Sequence, residues 1–192
     1  TPDKVSEALA AGAAGVQMGT LFAMAAESGL RADLRQRLLA ELGAGKLVVR
    51  NDPLASPTGF PFKVAVLEGS LSQPEVYAAR NRICDLGYLR SPAERPDGSV
   101  VYRCPADQVE MYVKKGGQVA DTVGRKCLCN ALFADIGLGQ LRKDGYQELP
   151  AVTLGQDLVG AAALLRQFPD GWTAGAAVEW LLSGVGAASP TQ

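Results

Sequence analysis

A short helix and a strand-like run follow each other at the start of the sequence, with only a tight turn between them. Thr1-Pro2-Asp3 places an N-cap residue before a proline at the first helical position, and Gly12 is a stop signal for that helix. The mostly apolar run Ala13–Met18 has the length of a strand and is bounded by glycines, which is typical of a strand buried on both faces. A helix followed directly by a buried strand predicts an α/β fold.

The remaining patterns divide the chain into three segments. Residues 1–50 are expected to form helix, strand and helix, because leucines recur at helical spacing from Leu30 to Leu42. Residues 51–150 form an irregular extension that contains prolines, glycines and all four cysteines, with a hairpin signal at Pro96-Asp97-Gly98. Residues 151–192 predict two C-terminal helices. Further elements are expected as strands or helices at 47–50, 75–80, 105–116 and 129–136.

Composition excludes several classes of protein. Nineteen basic and 20 acidic residues give a net charge of -1, which argues against nucleic acid as a partner. The sequence shows neither an uninterrupted apolar run long enough to span a membrane nor a signal peptide. Four cysteines without a secretion signal favour a reducing compartment, so a cytoplasmic location is expected.

The sequence contains no histidine. Histidine is the side chain best suited to general acid and base catalysis near neutral pH. Any such step must therefore use another group or another part of the protein, and the catalytic residues are unknown from this sequence.

The strand-like run ends at Gly19-Thr20, where a helix is expected to begin. Glycine allows close approach of the backbone, and a helix start presents free N–H groups to an anion. Loops after the last strands of TIM barrels often bind phosphate in this way. The spacing alone favours a plain turn between strand and helix over a phosphate site, because a single Gly-Thr pair is a weak signal.

The run Ala8–Phe22, with Glu27-Ser28 after it, resembles the barrel-closing segment of the nitronate monooxygenase family, formerly called 2-nitropropane dioxygenases. Ser56–Lys63 is similar to an actinobacterial-type branch of that family. The resemblance implies an FMN-dependent TIM barrel that oxidises a small nitronate or nitroalkane with oxygen. It also implies that four residues contact the FMN phosphate: Gln17, Met18, Gly19 and Thr20.

The family's catalytic histidine, its preceding Gly-Gly phosphate loop and its first seven strands have no counterpart in this sequence. We therefore expect this chain to be the C-terminal part of a TIM (β/α)8 barrel. The N-terminal half is expected as the main partner, on the same chain or a separate one, and this chain alone is expected to be inactive.

The four cysteines lie within the extension, at Cys84, Cys104, Cys127 and Cys129. Four thiolates could complete a tetrahedral zinc site. An iron–sulfur cluster and buried free cysteines are the alternatives. Residues two apart on a continuous helix point about 200° apart, so Cys127 and Cys129 can act together only at a turn or a helix start.

Two other functions remain open. The first is a flavin-dependent enoyl reductase of the same barrel family, which would need a nicotinamide donor. The second is a non-catalytic, metal-stabilised interaction module that kept part of a barrel.

Overall fold

The computed structural model describes residues 1–185, and these divide into two compact units. The first unit contains Thr1–Leu47 together with the chain from Leu154 onward, and the second contains Val48–Thr153. The predicted segments 1–50 and 151–192 thus fall almost entirely in one unit, although about a hundred residues separate them in sequence. Residues 186–192, which belong to the predicted C-terminal segment, lie outside the described residues.

The described chain contains helices and short strands. In chain order they are α1 (Pro2–Ala10), α2 (Thr20–Ala23), α3 (Ala32–Gly43), β1 (Val49–Asp52), β2 (Phe62–Ala65), α4 (Pro74–Ala78), β3 (Ser91–Glu94), β4 (Val100–Arg103), α5 (Val109–Lys114), α6 (Val119–Thr122), α7 (Leu128–Asp135), α8 (Val159–Gln167) and α9 (Ala174–Leu182).

The first unit is helical. Helix α3 packs on α8, α1 packs on α9, and α2 contacts both α8 and α9. The predicted periodicity of α3 is confirmed, since Leu34, Leu38 and Leu42 are buried on one face. Trp172 is also buried, and its indole N–H donates to the Leu21 carbonyl at 2.8 Å, which fixes α2 against the chain before α9.

The second unit contains two antiparallel strand pairs. Strand β1 pairs with β2, and β3 pairs with β4 across the predicted turn, in which Gly98 has a φ of 78°. A positive φ of this kind favours glycine. Strand β2 also contacts the C-terminal end of the unit. Val64 forms an antiparallel bridge with Thr153, and the Ala65 amide donates to the Val152 carbonyl at 2.9 Å.

Small residues make up much of the core of the second unit. One cluster joins Leu71, Ala131 and Ala151, and another joins Cys104, Ala106 and Cys127. Small side chains bury little apolar area. Buried polar side chains, among them Arg80, Asn130 and Glu148, add to the interior of this unit.

The structure departs from the predicted elements in several places. The predicted strand Ala13–Met18 is absent, because a strand requires a hydrogen-bonded neighbour and no described residue pairs with this run. The strand expected at 47–50 lies at 49–52, and the helix expected from Pro105 begins only at Val109.

A combination of helices and sheets is therefore present, but both sheets of the described chain are antiparallel. Parallel strands of a TIM barrel are not found among residues 1–185, and the barrel stays a prediction. Within the same residues, no helix has the length and apolar character needed to cross a membrane.

Candidate functional site

The predicted phosphate-contacting residues lie at the end of an exposed, irregular segment. Residues 13–17 and Gly19 are exposed, and Met18 and Thr20 are half-buried. Within the described chain, residues 14–18 make no backbone hydrogen bond. Their N–H and C=O groups are therefore available to a ligand or to another segment of protein.

Thr20 has a defined role in the first unit. Its hydroxyl oxygen accepts a hydrogen bond from the Gly155 amide at 2.8 Å, across 135 positions of sequence. A Cβ on Gly155 would lie only 2.8 Å from this oxygen, so glycine is required for the approach. The Thr20 hydroxyl can still donate its own proton to an acceptor.

The turn is compatible with an anionic group. A Cβ built on Gly19 would meet no atom within 4 Å, so the space beside this glycine is open. The exposed Gln17 amide, the free backbone N–H groups and the Thr20 hydroxyl supply donors of the kind that bind phosphate.

A separate groove of about 850 Å³ lies between α3 and α8. It is lined by residues that include Leu39, Gly43, Leu165 and Arg166, and none of Gln17–Thr20 contributes to it. The predicted phosphate turn is therefore an open surface and not part of this groove.

The second unit brings the four cysteines into one neighbourhood, and all four are free thiols. Cys104 and Cys127 are buried in one cluster, and Cys129 packs against it. Cys84 is half-buried beside Arg90. Burial raises the pKa of Cys84, although the hydrogen bond from Arg90 opposes this effect, and burial raises the pKa of Cys104 to about 11.

Cys127 is the N-cap residue of α7, with non-helical dihedral angles of φ -85° and ψ 87°. Cys127 and Cys129 therefore lie at a helix start, where residues two apart can act together. Cys129 packs against the cluster that contains Cys127. The polar interaction between the two thiols lowers the pKa of Cys129 to about 7 and, together with burial, raises the pKa of Cys127.

Among residues 1–185, no group of three or more His, Cys, Asp or Glu side chains is arranged so that it could hold a metal ion. Cys129 packs against the cluster that contains Cys127, and Arg90 donates to the Cys84 carbonyl at 3.4 Å. A zinc site formed by the four cysteines stays a prediction.

The structure also reveals a buried ion pair that the sequence patterns did not indicate. Arg80 donates from Nε and Nη2 to the two carboxylate oxygens of Glu148, at 2.8 and 2.7 Å. The two side chains are only 1% and 0% exposed. Burial lowers the pKa of Arg80, but the hydrogen bonds to Glu148 outweigh it and raise the pKa overall.

Three further polar side chains surround this pair. Asn130 donates from Nδ2 to Glu148 at 3.1 Å and to Asp85 at 2.7 Å, and Arg142 donates to Asp85 at 2.8 Å. Burial raises the pKa of Asp85, but the hydrogen bond from Arg142 outweighs it and lowers the pKa overall. Asn130 on α7 thus links Asp85, which lies 45 positions before it, to Glu148, which lies 18 positions after it.

Comparisons of the chain with models of protein families, with curated proteins and with solved structures gave no match.

Proposed function

We propose that this chain provides the FMN-phosphate turn of an FMN-dependent oxidoreductase that resembles the nitronate monooxygenases. The resemblance of Ala8–Phe22 supports the cofactor, and the exposure of residues 13–17 and Gly19 supports the position of the turn. The remaining flavin contacts and the catalytic groups would come from a barrel half outside the described residues.

The observation that carries the proposal is the unpaired backbone of residues 14–18. The unpaired N–H and C=O groups of a strand-like apolar run are a template on which another segment of protein can pair. Val16 is 43% exposed, although its side chain is suited to a buried strand. A barrel half that packed against this segment would bury Val16 and bring the flavin phosphate to Gly19.

Within such an assembly, this chain would bind and orient the cofactor. Gln17 and Thr20 would donate hydrogen bonds to phosphate oxygens, and the absent side chain of Gly19 would allow the phosphate to approach the backbone. FMN would supply the transfer of electrons from a nitronate to oxygen. This chain has no histidine for general base catalysis, so we expect the base to belong to the other barrel half.

The test uses the protein together with any chain that co-purifies with it. A Gly19→Phe variant should lose bound FMN, because the larger side chain fills the space proposed for the phosphate. Gly175→Phe is the matched control, since exposed Gly175 has no atom closer than 3.9 Å to its Cβ position but lies in α9, outside the segment before the turn. FMN content is measured by absorbance after release from the protein.

Equal FMN retention by the wild-type and Gly19→Phe proteins would contradict the assignment of the turn. Equal loss in both glycine variants would show that the effect is not specific to the turn. Reduction of the bound flavin by a nitronate without a nicotinamide donor is the expected activity. The described chain by itself should not oxidise nitronates.

A further inference from the structure

The sequence Cys127-Leu128-Cys129 places two cysteines at the start of α7, where both belong to one small cluster. Within a continuous helix, side chains two residues apart point about 200° apart and cannot meet. Cys127 avoids this restriction because it is the N-cap residue and has a non-helical ψ of 87°. Both cysteines can therefore pack in one place, with Cys129 against the cluster that contains Cys127.

The two thiols differ in their access to solvent. Cys127 is 3% exposed and belongs to the cluster with Cys104 and Ala106, whereas Cys129 is half-buried at the edge of that cluster. A reagent in solution can therefore reach Cys129 before it can reach Cys127. The first turn of the eight-residue helix α7 also favours negative charge on Cys129.

We propose that Cys129 and Cys127 form a reversible dithiol–disulfide pair that reduces small-molecule disulfides. Cys129 is the attacking thiol and Cys127 is the resolving thiol. The proposal does not depend on flavin binding, because both residues and the cluster in which they pack lie within the second unit.

The exchange has two balanced steps. First, the Cys129 thiolate attacks one sulfur of a disulfide RSSR, so that a bond forms between Cys129 and SR while RS⁻ leaves. Next, Cys127 loses its proton to solvent and attacks the Cys129 sulfur, which forms the Cys127–Cys129 disulfide and releases the second RS⁻. The two cysteine sulfurs lose two electrons in total, and the reagent gains them as it becomes two thiols.

The other two cysteines are placed less favourably for this reaction. Cys104 is 4% exposed and lies in the interior of the same cluster. Cys84 is half-buried but contacts Arg90 instead of a second thiol. Of the four cysteines, Cys129 alone combines access to solvent with a place in the cluster that holds a second thiol able to resolve a mixed disulfide.

The test is a peptide map of the full-length chain after treatment with glutathione disulfide. The reduced protein is incubated with the reagent, its remaining thiols are alkylated, and the protein is digested with trypsin. Both cysteines then lie in one peptide, residues 127–142, because Lys126 precedes it and Arg142 ends it. The expected product is this peptide without alkylation and two hydrogens lighter than its reduced form.

Variants separate the two roles. Cys127→Ser should stop at the first step and accumulate glutathione on Cys129. Cys129→Ser should react at residue 127 at least about tenfold more slowly than the wild type reacts at residue 129, because the buried thiol must then meet the reagent directly. Cys84→Ser is the matched control and should form the Cys127–Cys129 disulfide at the wild-type rate.

Three outcomes would overturn the proposal. These are an unresolved glutathione adduct on Cys129 in the wild type, a disulfide that joins either residue to Cys104, and a co-purifying metal ion that protects all four cysteines from alkylation. The wild-type peptide map does not require any variant to fold, so a poorly folded variant would not obscure the result.

Discussion

Glu148 illustrates how a carboxylate can lie fully inside this protein. Its two oxygens accept both hydrogen bonds of a bidentate contact from Arg80, and Asn130 supplies a further donor. Removing a charge from water is costly, and only paired geometry with additional hydrogen bonds offsets the cost. The loss of either partner would therefore leave the other as an unpaired charge inside the protein.

Glu148→Gln should destabilise the second unit strongly, because it leaves the buried Arg80 guanidinium without its counter-charge. We expect the free energy of unfolding to fall by about 3 kcal/mol or more, the usual scale for breaking a buried pair. Urea unfolding monitored by circular dichroism measures the change.

Glu7→Gln is the control for this comparison, because Glu7 pairs with Lys4 on the surface with both side chains more than half exposed. That variant should unfold as the wild type does. A Glu148→Gln protein as stable as the wild type would show that the buried pair does not organise the unit.

At the scale of elements, Asp52 connects the end of β1 to the chain that leads into α7. One carboxylate oxygen accepts from the Leu54 amide at 2.8 Å, and the other accepts from Lys126 at 2.6 Å. The Lys126 amide in turn donates to the Leu54 carbonyl at 2.9 Å. The Asp52 side chain and the backbone hydrogen bond between Lys126 and Leu54 thus hold the end of β1 against the residues that precede α7.

Asp52→Asn should lower stability in a pH-dependent way. Burial raises the pKa of Asp52, but the hydrogen bonds from Lys126 and Leu54 outweigh it, so the folded pKa lies below the ordinary value of 3.8. The stabilisation is therefore complete above that value and is lost as the pH falls through the folded pKa. At neutral pH we expect the variant to lose about 1 to 2 kcal/mol.

Urea unfolding at neutral pH and at about pH 3 measures this dependence. The difference in the free energy of unfolding between wild type and variant should be smaller at the acid pH. Asp144→Asn is the matched control, since Asp144 accepts from the Tyr146 amide in the same kind of turn but is exposed. A difference that stays constant between the two pH values would exclude the ion pair as its source.

For the whole molecule, the two ends of the second unit meet at β2. The Val66 amide donates to the Val48 carbonyl near the start of the unit, and Val152 and Thr153 near its end pair with β2. Inserted domains commonly have neighbouring termini of this kind. The second unit therefore has the organisation of an insertion within a helical unit.

The excised segment 48–153 should fold by itself, because its sheets, its two small clusters and its buried ion pair all lie within it. We expect a single cooperative urea transition and dispersed amide resonances in NMR spectra. The same segment with Glu148→Gln is the internal control and should unfold at lower urea. A wild-type segment without a cooperative transition would show that the first unit is needed for its folding.

Local patterns in the sequence predicted much of the secondary structure. Leucines at helical spacing predicted α3, and Pro96-Asp97-Gly98 predicted the turn between β3 and β4. These features depend on residues that are close in sequence, so they can be recognised without knowledge of the fold. The residues proposed for the phosphate came instead from the resemblance of Ala8–Phe22 to a family, and they stay a prediction.

Contacts between distant residues were decided only by the tertiary structure. Arg80 and Glu148 are 68 positions apart, and no periodicity or motif indicated that they would meet. The run Ala13–Met18 has the composition of a strand, yet it stays unpaired in the described chain because a strand exists only with a neighbour. The sequence by itself therefore determined the helices and turns that form from local hydrogen bonds and periodic apolar residues. Which strands pair, and which charged side chains are buried together, was decided only in the folded chain, because these contacts join residues that are far apart in sequence.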